Sequence, residues 1–206
     1  MIPAAKTLSW LLHPIFMPLL TLFVAIQVDP KLSYFMSEEA TWVNYALIGI
    51  MTIAFPLVSI SVLYRNGLIS SFYLHDRAER FLPFSLTLFY YILSYYLIRQ
   101  VQMDTAIYSM LLGAMVDLLF TTLISSSWKI SVHMVGIGGL FGALVALTNY
   151  HYPTDATYLL GTVLLISGAL ASARLLLGAH DSGQVYAGFI LGTCCVFGTV
   201  ALGIWF

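Results

Sequence analysis

Charge is the scarcest commodity in this chain. Only 8% of its 206 residues are Asp, Glu, Lys or Arg, against about 25% in an ordinary soluble domain. So few ionised groups cannot coat a water-facing globule of this size; they suit a chain whose flanks meet hydrocarbon. The formal net charge of −1 offers none of the cationic excess that nucleic-acid binding uses, so no nucleic-acid partner is expected. Cysteine is scarce too. Cys194 and Cys195 are neighbours in an apolar run, a placement that disfavours a bridge between them and reads as two small apolar helix residues. There is no linker, repeat or low-complexity tract, so residues 1–206 are expected to form one domain.

Apolar sequence is what the chain has in abundance: 60% of it is hydrophobic. Nearly uncharged stretches run over 7–28, 41–64, 81–98, 105–127, 130–150, 156–173 and 184–206. Each approaches the roughly 20 residues a helix needs to cross a bilayer. Strands cannot satisfy their backbone singly in lipid, so the expected fold is all-α: a polytopic transmembrane helical bundle of six or seven spans. The first stretch, 7–28, outlasts a signal-peptide core and reads as a retained membrane segment. His13-Pro14 and Pro18 would kink it or make it re-entrant.

Counting crossings sorts the polar loops. One face collects Asp29, Lys31, Glu38, Glu39, Asp104 and Asp155. The other collects Arg65, His75, Asp76, Arg77, Glu79, Arg80, Lys129, Arg174, His180 and Asp181. Trp10, Trp42, Tyr64, Tyr73 and Trp128 fall near span ends, as interfacial aromatics do.

Three segments of the basic face could carry chemistry: His75-Asp-Arg77-Ala-Glu-Arg80-Phe-Leu-Pro83, Trp128-Lys129-Ile-Ser131-Val-His133, and Ser172-Ala-Arg174 running through Gly178 and His180 to Gln184. Taken singly, each reads as a topology-setting loop, a snorkelling Lys or a helix cap. Together they offer guanidinium groups that grip phosphate oxygens through paired donors, a hydroxyl, and two imidazoles able to attack phosphorus or pass a proton.

The three segments resemble the three signatures of the type-2 phosphatidic acid phosphatase superfamily. That family's third motif has Ser-Arg, a His six residues after the Arg and an Asp four residues after the His; Arg174 and His180 keep the spacing, and Gln184 follows. Its second motif is Pro-Ser-Gly-His, of which Ser131 and His133 remain. Its first has a Lys seven residues before Arg-Pro, to which Arg80 with Pro83 is the nearest match. The resemblance covers roughly residues 65 to 190. It implies a lipid phosphatase acting on a phosphoric monoester or diphosphate without metal or other cofactor. His180 would be the nucleophile forming a phosphohistidine, and His133 the proton donor to the leaving group. Arg174 and Arg80 would hold the phosphoryl oxygens, with Ser131 donating to one of them. The implied substrate is a membrane lipid: phosphatidate-like, phosphatidylglycerol phosphate or a polyprenyl pyrophosphate.

The chain departs from the family at three places. Tyr73 stands where the first motif has Lys, leaving Arg77 or Lys129 to supply that charge. Ala173 separates Ser172 from Arg174. Gln184 replaces the orienting Asp; its amide oxygen still accepts the imidazole proton but carries no charge, and the analogous change in a Ser-His-Asp triad costs about 10⁴ in rate. Asp181 and Asp117 are the other available acids. Asp117 lies well inside an apolar span, where an ionisable side chain marks either a functional site or a polar cavity. The rival expectation is a catalytically weakened relative that binds or transports a phosphorylated lipid. A small-solute transporter would need more ionisable groups at mid-membrane than Asp117.

His151-Tyr-Pro-Thr-Asp155 repeats the family's His-to-Asp spacing. It has Val145 where the Arg would be and falls on the acidic face, so it reads as a turn between helices. Gly136, Gly138, Gly139 and Gly142 after His133, and Gly188 and Gly192 after His180, are small residues that let helices approach closely. They are expected to bring the two histidine-bearing helices together. Lys and Arg counts alone put the basic face in the cytoplasm; the family resemblance puts the site on the outer face of a bacterial inner membrane.

Overall fold

A computed structural model describes the chain apart from Phe35, Met36, Tyr73, His75, Gln102, Trp205 and Phe206; Pro30 and Ser33 are described through their backbone only. The readings placed on Tyr73 and His75 therefore lie outside the described residues. The fold is an all-α bundle. Among the described residues, seven helical stretches are long and apolar enough to cross a membrane: Ile2–Val28, Glu38–Arg65, Ala78–Ile98, Thr105–Ser127, Val132–His151, Thr157–Leu176 and Ser182–Ala201.

Several boundaries differ from the reading by charge, three of them with a plain local cause. The first span begins at Ile2 and takes in Lys6, because a single cation near a helix end does not stop the helix. The second begins at Glu38, where the Ser37 hydroxyl accepts from the Ala40 N–H at 3.1 Å and two glutamates occupy the first turn, a favoured helix start. The last ends at Ala201, where Gly203 turns into the left-handed region at φ +59°.

Proline decides the irregularities. The first span is two helices, α1 (Ile2–Leu11) and α2 (Met17–Val28), joined by a 3₁₀ turn at Pro14–Phe16. Pro14 has no N–H to return to Trp10, and the residue before it is driven out of the helical region; His13 is extended, at φ −65°, ψ 136°. Pro18 falls in the first turn of α2, where its missing N–H costs nothing. A short α3 (Pro30–Tyr34) follows. The second span is α4 (Glu38–Gly49) and α5 (Phe55–Arg65), joined by a π turn at Ile50–Ala54. Pro56 there cannot donate to the carbonyl of Thr52, and the widened turn absorbs the gap. The remaining spans are built on α6 (Phe81–Ile98), α7 (Thr105–Ser127), α8 (Val132–Ala146), α9 (Thr157–Leu176) and α10 (Ser182–Ala201).

Helix α8 is the axis of the bundle: 67% of its span is buried, against 22% for the second span. It packs most intimately on α10 through reciprocal glycines. A Cβ at Gly188 would stand 2.7 Å from the Ser131 carbonyl oxygen, and one at Gly192 would strike the Val135 carbonyl. Those at Gly138 and Gly142 would strike the backbone of Phe189 and Thr193. The expected small-residue contact is therefore the closest helix pair in the fold. Outward-facing side chains such as Val58, Phe89, Leu165 and Ile190 are exposed, an apolar surface suited to lipid tails.

At the far end of α8 from His133, about 27 Å along the helix by its rise per residue, His151 closes a polar clasp. Its Nδ1 pairs with Asp29 Oδ2, and its Nε2 lies 2.9 Å from Asp104 Oδ1. Asp29 also accepts from the Lys31 N–H at 2.9 Å and is fully buried. The segment read as a turn is thus the knot that ties the end of α2, the start of α7 and the end of α8. Asp155 takes no part in it and accepts instead from the Thr157 N–H at 3.0 Å, which holds its carboxyl below its usual range.

Candidate functional site

The opposite end of the bundle is built where α8 begins, α9 ends and α10 begins. Trp128 leaves α7 in extended conformation, and Ser131 opens α8, which puts His133 in its first turn. The His133 Nε2 lies 3.1 Å from the carbonyl oxygen of Ser9. A carbonyl only accepts, so the proton sits on Nε2 and the lone pair on Nδ1.

Arg174 occupies the last turn of α9. Gly178, at φ +60°, supplies the left-handed residue that stops the helix, with Ala179 N–H donating to the Arg174 carbonyl at 3.2 Å, a common helix ending. Three residues later Asp181 starts α10, its carboxylate accepting from the Gln184 N–H at 2.9 Å. His180 is therefore outside α10. It meets Gln184 because the cap folds the chain back, not because both share a helix face. Its Nδ1 lies 2.9 Å from Gln184 Oε1 and 3.3 Å from the Lys129 carbonyl oxygen. The second of these acceptors fixes the tautomer: Nδ1 carries the proton and Nε2 is left with a lone pair. Burial lowers the His180 pKa to about 4, with Gln184 opposing and Arg174, Arg80 and Lys129 adding to the drop. The ring is neutral at pH 7.

Arg80, 6% exposed, is pinned by Nε to the Leu74 carbonyl at 3.0 Å and by Nη1 to the Ile130 carbonyl at 3.3 Å. Arg174 keeps a buried Nε with no hydrogen-bond partner among the described residues, and it lies within electrostatic reach of His13, His133, His180 and Arg80. A buried guanidinium with an unspent donor is the kind of group an anion would satisfy.

These side chains share one cavity of about 200 Å³. His13, Arg80, His133, Arg174 and His180 line it at the polar end; Leu22, Ile48, Ile107, Met110, Leu111 and Val196 line its apolar reach into the bundle, with Asp117 and Tyr91 in the wall. Of the residues singled out in the sequence, His133, His180, Arg174 and Arg80 meet here, and Gln184 backs them. Ser131 is fully buried, its Oγ without a hydrogen-bond partner among the described residues, and it does not line the cavity. Arg77 also lies off the wall, donating from Nη1 to the Ser127 carbonyl. Lys129 contributes its carbonyl to His180 and its charge at a distance. Asp181 serves the helix cap, and Asp117 makes no hydrogen bond to His180 among the described residues.

Sequence reasoning missed His13, noticed only as part of a kink. The available signal was an imidazole directly before proline inside an apolar span, a place where a polar ring needs a reason. No protein-family model matches the chain, nor does any curated protein or solved structure.

Proposed function

We propose that this protein hydrolyses a lipid phosphate or lipid pyrophosphate through a phosphohistidine at His180. The observation that carries the reading is the convergence of Arg80, His133, Arg174 and His180 on one cavity with an apolar interior. The phosphoryl group would sit among the cations while its hydrocarbon enters the bundle. The lone pair on His180 Nε2 attacks phosphorus and the bond to the leaving oxygen breaks. His133, protonated on Nδ1 for the step, gives that proton to the departing oxygen. Water then attacks the phosphohistidine, His133 takes the water's proton, and inorganic phosphate leaves with His180 restored. Arg174 and Arg80 balance the charge that spreads over the equatorial oxygens.

Phosphatidate-like lipids, phosphatidylglycerol phosphate and polyprenyl pyrophosphates all fit this chemistry. The resemblance to type-2 phosphatidic acid phosphatases favours a site on the outer face of a bacterial inner membrane. The test is phosphate release by purified protein in detergent, across a panel of these lipids. Release that disappears in His180→Ala supports the reading; no release from any lipid by the wild type would sink it. The neutral Gln184 beside His180 favours a second reading, a binding or transport protein for phosphorylated lipids. In that case the wild type retains lipid phosphate without cleaving it.

A further inference from the structure

The polar end of the cavity holds an imidazole that none of the three basic-face segments supplies. His13 sits at the break between α1 and α2, and its ring meets the ring of His133 edge to face, with centroids 5.3 Å apart and planes at 78°. Its Nδ1 accepts from the Ile15 N–H at 3.3 Å. That leaves the proton of the neutral ring on Nε2, the nitrogen that donates to no other described residue. The approach of the first span is fixed independently. Met17 packs over Gly136, where an added Cβ would stand 2.7 Å from Met17 Cγ, and the Ser9 carbonyl receives the His133 proton. The kink uses Pro14 and the Nδ1 cap on the Ile15 N–H. It does not need a polar ring turned inward onto His133 and within electrostatic reach of Arg174.

We propose that His13 is a third imidazole of the phosphoryl site, donating from Nε2–H to an oxygen of the bound phosphoryl group on the side of His133. The assignment rests on reading the cavity as a lipid-phosphate site. His13 makes no covalent bond. It binds a phosphoryl oxygen beside the leaving oxygen that His133 protonates, so the first span completes the site rather than merely anchoring it.

The experiment pairs kinetics with direct observation of the rings. Dioctanoyl phosphatidate in detergent micelles is the substrate, and orthovanadate, a phosphoryl mimic, is titrated into protein carrying isotope-labelled histidine. His13→Phe keeps an aromatic ring but no donor, and is expected to lower kcat/KM about 10–100-fold, the scale of one hydrogen bond to a charged group. His13→Gln restores a donor and should recover most of the loss. Orthovanadate should shift the ring resonances of His13 together with those of His133 and His180. Unchanged kcat/KM in His13→Phe, with phosphate still released, overturns the role of His13 and leaves the phosphatase reading standing. If the wild type releases no phosphate, the titration decides alone. A His13 shift keeps it as an anion ligand while hydrolysis is abandoned; a silent His13 removes it from the site.

Discussion

The Nδ1 of His180 lies 2.9 Å from the amide oxygen of Gln184 and 3.3 Å from the backbone carbonyl of Lys129, so two neutral acceptors orient the proposed nucleophile. A side-chain amide can be lost without losing the tautomer, because the carbonyl remains. Gln184→Ala should therefore cost about tenfold in kcat, the worth of one neutral hydrogen bond, rather than the roughly 10⁴ seen when a triad loses its only orienting acid. Gln184→Glu should raise the His180 pKa by placing a carboxylate against the ring. Steady-state phosphate release from both variants measures this; a loss in Gln184→Ala as deep as that in His180→Ala would show that the Lys129 carbonyl orients nothing.

Burial and the nearby cations hold His180 at about pKa 4, below the ordinary imidazole value of 6.5. The attacking form is the neutral ring, so protonation of His180 should impose its acid limb on kcat/KM near pH 4 and none near 6.5. The same shift links to folding. Between pH 6.5 and 4 the unfolded chain binds a proton at this position that the folded chain refuses, so stability falls as pH drops through that window. A His180 ring resonance that titrates near 6.5 rather than near 4 would show that this imidazole is solvated like a free one.

Much of the fold was legible because hydrocarbon imposes a simple rule: uncharged stretches of about 20 residues become spans. The small residues after His133 and His180 announced the α8–α10 contact for the same reason, since only glycine permits such an approach. Motif spacing found Arg174, His180 and Gln184 but not how they meet: the chain folds back at the Asp181 cap rather than continuing one helix. What stayed hidden depends on rotation and distance. Spacing cannot tell that Ser131 is buried away from the cavity lining, that Arg77 turns to Ser127, or that His13 crosses to His133. Nor can it say that the His151 segment, set aside as a turn, gathers acids from two distant stretches.

The glycine contact gives a packing prediction. At Gly192 an added Cβ would collide with the Val135 carbonyl and approach the Gly139 nitrogen to 2.8 Å. Both are backbone atoms of α8, which cannot swing aside as a side chain would. Gly192→Ala should destabilise the protein by about 1–3 kcal/mol, the usual cost of overpacking, and should separate His133 from His180. Gly198→Ala on the same helix meets open space and should be neutral. Thermal unfolding of the two variants in one detergent makes the comparison, and equal melting temperatures would refute the tight α8–α10 seam.

The His151 clasp gives the last prediction. Asp29 is fully buried and its Oδ2 pairs with His151. Removing the imidazole strands that carboxylate, and breaking a buried pair from one side costs about 3–5 kcal/mol. His151→Leu should therefore lower the melting temperature strongly. Asp104 keeps its helix-start role through the Ala106 N–H at 2.9 Å, so the damage should centre on Asp29. Adding Asp29→Asn removes the stranded charge while leaving an oxygen for the Lys31 N–H, and the double variant should recover much of the loss. Because the clasp and His133 sit at opposite ends of α8, lipid-phosphate turnover per folded molecule should be unchanged in the double variant. A single variant that melts with the wild type would mean the clasp adds no stability; a double variant that folds but loses turnover would mean the two ends of α8 are coupled.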